Sequence, residues 1–84
     1  MRDFLNLSAD LARISEFYSR GDCNLAYKFI DRDLGKYGQM NIDINGQSVK
    51  ELLVELKNGG DLRQKSEKAL SASLVLTHMA SAVV

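Results

Sequence analysis

Proline is absent from this 84-residue chain, so no residue in it breaks a helix from within. Cysteine and histidine occur once each, as Cys23 and His78. A single thiol cannot close an intrachain disulfide, and one thiolate with one imidazole falls short of a structural zinc site. Charge of one sign is not in excess, because 11 Lys and Arg offset 11 Asp and Glu. Binding to nucleic acid draws on counterion release by surplus basic side chains, and this balance does not favour it. A long apolar run is missing too. Ala69–Val84 carries no Lys, Arg, Asp or Glu, yet Ser71, Ser73, Thr77, His78 and Ser81 dilute it. Its length also falls short of the about 20 apolar residues that cross a bilayer, so burial in protein is the expectation and no membrane partner is foreseen.

The opening Met1-Arg2-Asp3-Phe4-Leu5-Asn6 has no signal-peptide core, which points to a cytoplasmic protein with Cys23 as a free thiol. A hydrophobic content of 45% is that of a folded chain rather than a disordered tail. A chain of this size forms one helical domain over residues 1–84 and hides only about 60–65% of its unfolded surface.

Six glycines divide the chain into four segments of helical periodicity and one of strand-like alternation. Phe4, Leu7, Leu11, Ile14 and Tyr18 recur at intervals of three and four, predicting a helix over 3–19 that stops at Gly21. Asp22 is placed to cap a second helix carrying Leu25, Ala26, Phe29, Ile30, Leu34 and Tyr37, with Gly35 or Gly38 as its left-handed terminator. The short link at Gly21-Asp22 makes these two helices an antiparallel hairpin. Met40–Ile44 alternates like a strand and precedes Asn45-Gly46, a turn dipeptide. Ser48-Val49-Lys50-Glu51 then reads as a capping box opening a short third helix over Val49, Leu52, Leu53 and Leu56. With no second strand in view, 40–44 is expected to stay an extended connector or to pair with its copy in another chain. Asp61 and Gln64 open the last helix, expected over 62–82. The fold class is therefore all-α: a small four-helix bundle of a hairpin, a short third helix and a long apolar C-terminal helix, with a short extended segment at 40–44.

The last helix is apolar or small on every side after Lys68, the pattern of a helix surrounded by others. One 84-residue chain has little surface with which to enclose it, so a homodimer is expected. Its expected interface comprises Ala69, Ala72, Ser73, Leu76, Met79, Ala80 and Val83, small enough at several positions for close helix approach.

Candidate chemistry is sparse. Ser48 at a helix start resembles the phosphopantetheine serine of carrier proteins over Gly46–Glu55, although the Asp-Ser-Leu core of that family is missing; the N-cap role accounts for it. His78, on the apolar helix, reads as a buried imidazole, with a pH-sensitive contact between two copies as the functional alternative. Cys23, near the start of the second helix, has a reactive thiol as its functional alternative and a small first-turn residue as its ordinary reading. Asp31-Arg32-Asp33 and the run from Arg63 to Lys68 read as solvated faces. Arg20-Gly21-Asp22 reads as a helix stop and a cap. Tyr18, Tyr27 and Tyr37 are candidates for partner contact, with partial core packing as their ordinary role. No catalytic residue, cofactor or metal site is assigned, and the expected function is that of a small non-enzymatic adaptor or regulator binding a protein partner, with a carrier-like domain using Ser48 or a weak nucleic-acid-binding regulator as the alternatives.

Overall fold

The computed structural model describes residues 2–82. Its elements run α1 (Arg2–Ser19), α2 (Cys23–Tyr37), β1 (Asp43–Ile44), β2 (Gln47–Ser48), α3 (Val49–Asn58) and α4 (Leu62–Ala82). The all-α bundle expected from the periodicity is what forms. Helix α1 lies between α4 on one side and α2 on the other; α3 packs on α2, and the β1–β2 ribbon closes the gap toward α4.

Local chemistry explains each boundary. At the end of α1 the Asp22 N–H donates to Phe17 O at 2.8 Å and the Gly21 N–H to Tyr18 O at 3.0 Å. That pair of bonds demands a left-handed residue, which Gly21 supplies at φ 77°. Asp22 then turns round and accepts the Leu25 N–H at the start of α2, so one residue finishes one helix and begins the next. At the other end of α2 the expectation of a left-handed glycine fails. Gly38 is right-handed at φ −61°, and its N–H continues the helical pattern to Leu34 O.

The turn at Asn45-Gly46 has φ of 53° and 86°, the two positive values of a tight hairpin turn. It pairs Asp43 with Ser48 and Ile44 with Gln47. The partner of the extended segment is thus the two residues just before α3, within the same chain. Sequence reading missed it because Ser48 serves as both strand end and N-cap, and a two-residue strand has no periodicity to detect. The capping box itself is complete: Ser48 Oγ accepts the Glu51 N–H and the Ser48 N–H donates to Glu51 Oε1, both at 3.2 Å. Asp61 and Gln64 repeat the arrangement at α4, with bonds of 2.8 and 3.1 Å.

The core fills the space below α1. Leu7, Leu11, Ile14 and Tyr18 meet Ala26, Ile30 and Tyr37 of α2, Ile44 of β1, Val49, Leu52, Leu53 and Leu56 of α3, and Ala69, Ala72 and Leu76 of α4. Each fully buried Leu, Ile or Val contributes about 1.5–3 kcal/mol. Tyr18 carries its hydroxyl into this core and donates it to Leu56 O at 2.6 Å, tying the end of α1 to the end of α3. Burial, reinforced by the neighbouring Tyr27 and Cys23, drives its phenol pKa upward, so the ring stays neutral and donating.

Candidate functional site

Helices α1 and α4 run antiparallel and meet along a seam of serines rather than leucines. Ser8 Oγ donates to Ser73 O and Ser73 Oγ to Ser8 O, each at 2.8 Å. One heptad away Ser15 Oγ donates to Ser66 O at 2.8 Å and Ser66 Oγ to Ser15 O at 2.9 Å. Thr77 Oγ1 joins the first clasp, 2.6 Å from Ser8 Oγ and 3.0 Å from Ser73 O. Bonds from a side chain on each helix to the backbone of the other require the two backbones to lie close, which only small residues permit. This is where the small-residue stripe of α4 goes. Ala69, Ala72, Ser73, Leu76 and Ala80 are buried inside the chain, and Met79 is half-buried against the core. Of the residues expected at a dimer interface, these six are occupied within one chain, and Val83 lies outside the described residues.

The opposite face of α4 is open. Leu74 is 62% and Leu70 48% exposed, and Ser71, His78 and Ser81 are exposed with them. The last helix is therefore not enclosed on every side, and His78 is not a buried imidazole. Leu70 stands three residues before Ser73; Leu5 and Ala12 stand three before Ser8 and Ser15. A step of three back places all three on the same outward flank of the seam. Leu5 is 50% exposed and Ala12 is exposed, so α1 extends the apolar strip begun by α4. Leu25, Val54 and Leu62 are also exposed, but one each on α2, on α3 and at the first position of α4. Among the described residues only the α1–α4 flank gathers large exposed apolar side chains.

Two charged side chains read as solvated are buried instead. Lys65 stands four residues before Ala69, and Asp33 falls between Ile30 and Tyr37; both positions belong to apolar stripes, and that spacing was the signal to read. Lys65 Nζ donates to Lys57 O at 3.1 Å and lies 5.2 and 5.8 Å from the ring centres of Tyr18 and Tyr27. Asp33 sits near Asp10 of α1, itself buried. Arg32 Nη2 donates to Asp10 Oδ2 at 3.0 Å, and the Arg32 guanidinium covers the Phe29 ring at 4.5 Å. At the surface Glu55 accepts from Lys68 and Gln47, and those bonds hold its carboxyl below the usual range. Arg63 and Glu67 form the expected i,i+4 pair at 3.2 Å.

Among the other candidates, Ser48 spends its hydroxyl on the cap. Cys23 is half-buried in the first turn of α2. Tyr18 and Tyr37 are buried in the core, and Tyr27 is half-buried against it. Among the described residues no three His, Cys, Asp or Glu side chains converge as a metal site would need, and no helix is long and apolar enough to cross a membrane. No protein-family model matches the chain, nor does any curated protein or solved structure.

Proposed function

We propose that this chain is a non-enzymatic helical interaction module, an adaptor or regulator that acts as a two-fold homodimer. Its contact surface is the outward flank of the α1–α4 pair, centred on Leu74. The observation that carries this reading is the exposure of Leu5, Leu70 and Leu74 together beside a stretch of α4 that has no charge from Ala69 to Ser81. A two-fold contact sets a surface against itself, so any charge on it meets its own sign. The α4 part of the flank, uncharged from Ala69 to Ser81, escapes that cost, and a second copy is the partner it fits. An antiparallel crossing at Leu74 places Leu70 opposite position 78 of the other copy and Glu67 opposite position 81. The charged first turns of α4 then lie outside the apolar contact. A stable interface needs about 800 Å² per partner, roughly a sixth of the 5039 Å² exposed here, and the 36 Å length of the molecule accommodates it. A cytoplasmic setting, where a lone thiol such as Cys23 stays reduced, belongs to the same proposal.

Sedimentation velocity over the micromolar range tests it. Wild type is expected at twice 9.4 kDa and Leu74→Glu at 9.4 kDa, with helical circular dichroism unchanged because Leu74 supports no core contact. A wild-type chain that stays at the monomer mass throughout overturns the reading.

A further inference from the structure

Asp33 is 0% exposed, and neither of its carboxyl oxygens receives a hydrogen bond from a described residue. The nearest cation, Arg32 Nε, stops 3.7 Å short of Oδ1, because that guanidinium gives its Nη2 to Asp10. An ionised carboxylate held out of water with no donor is among the costliest groups a small fold can contain. Asp10 faces it from α1 and offers only oxygens unless one of the two acids keeps its proton. The charged groups that act on Asp33 are Asp10 from α1 and Arg32 and Lys36 from its own helix; Arg13 is bound to Asp10 at 3.4 Å. Three cations around two acids leave no place for a metal ion. Arg13 and Arg32 bond Asp10, whereas Arg32 and Lys36 act on Asp33 only from longer range and offset part of the burial that favours its protonated form.

We infer that Asp10 and Asp33 share one proton, and that this proton is a clasp between α1 and α2 that holds the helices together while bound and frees α2 when lost. Burial first, and then the nearness of the Asp10 carboxyl, raises the Asp33 pKa from 3.8 to about 7, so the clasp is closed in mild acid and opens through neutrality. The sign follows from linkage. The folded chain keeps a proton that the unfolded chain releases near pH 3.8, so this group's contribution to stability falls as pH rises from there to about 7 and is level above. The clasp lies on the α2 side of α1, apart from the α4 flank, and does not depend on dimerisation.

Carbon-13 carboxyl NMR on the full chain reads it directly. Asp33 is expected to titrate near neutrality, and a midpoint in the ordinary carboxylate range overturns the proposal. Asp33→Asn supplies a permanent donor to Asp10. Measured against this variant, the wild-type unfolding constant should rise about tenfold per pH unit through the mildly acidic range, as one-proton linkage requires. A ratio independent of pH overturns the clasp. Hydrogen exchange on wild type separates opening from general loosening: protection should fall above neutrality in α2 while the α1–α4 seam retains it, and equal loss in all helices overturns the freeing of α2.

Discussion

Lys65 shows how a single side chain departs from its neighbours in the chain. Arg63, Lys65 and Lys68 form one basic run, yet only Lys65 turns inward; its ammonium serves the exposed end of α3 by bonding Lys57 O and fills the space over Tyr18 and Tyr27. A cation at a helix C-terminus is favoured by the dipole, and burial among aromatic faces strengthens that attraction. Lys65→Met keeps the length of the stem and removes the charge. It is expected to lower stability by about 1–3 kcal/mol, against less than about 0.5 kcal/mol for Arg63→Ala, both measured by urea unfolding. Composition alone hides this difference, since a charge run looks solvated wherever it lies. The angular position does not: Lys65, Ala69, Ala72 and Leu76 share one stripe, as do Ala26, Ile30, Asp33 and Tyr37. What periodicity cannot supply is the partner, because Asp10 and Lys57 O come from other helices.

Among the elements, the helices and the α1–α2 hairpin were legible, and the direct pairing of α1 with α4 was not. Apolar spacing, the capping residues and the glycines placed α1, α3 and α4 to within a residue or so, since those signals act over one or two turns of the same segment. The serine clasps of the α1–α4 seam join residues 65 and 51 apart in sequence, and serine gives no hydrophobic periodicity. The small residues of α4 thus announced a close helix neighbour without saying that it was α1 of the same chain. The seam's energetics can be tested through Ser8 and Ser73. Each hydroxyl donates to a carbonyl that already accepts a helical bond, so replacing either by alanine should cost about 1 kcal/mol, mostly a lost bond rather than an orphaned acceptor. The hydroxyls are also 3.1 Å apart, so Ser8→Ala with Ser73→Ala should cost less than the two singles summed. Ser73→Leu is a different perturbation: it wedges the backbones apart and should cost more than both alanines together. Thermal unfolding of the four variants checks the order.

At the scale of the whole molecule the division of labour runs across α1. Its α4 side is locked by uncharged serine clasps, and its α2 side adds to the apolar core the buried Asp33, whose pKa burial raises to about 7. The flank proposed for self-association centres on the uncharged stretch of α4, and this sets it apart from an electrostatic interface. Screening by salt weakens contacts between opposite charges and leaves apolar ones nearly unchanged or slightly strengthened. An antiparallel crossing at Leu74 brings no charged side chain of α4 onto one of its twin. The dissociation constant of the dimer should therefore change less than about threefold between about 50 and 500 mM salt. Were the contact instead built on Arg63, Glu67 and their counterparts, the constant would weaken steeply over the same range. Folding linked to association adds a second signature: the wild-type melting temperature should rise with protein concentration, while that of Leu74→Glu stays level. The two measurements answer separate questions, the melting series asking whether copies associate and the salt series asking whether the uncharged flank is where they touch.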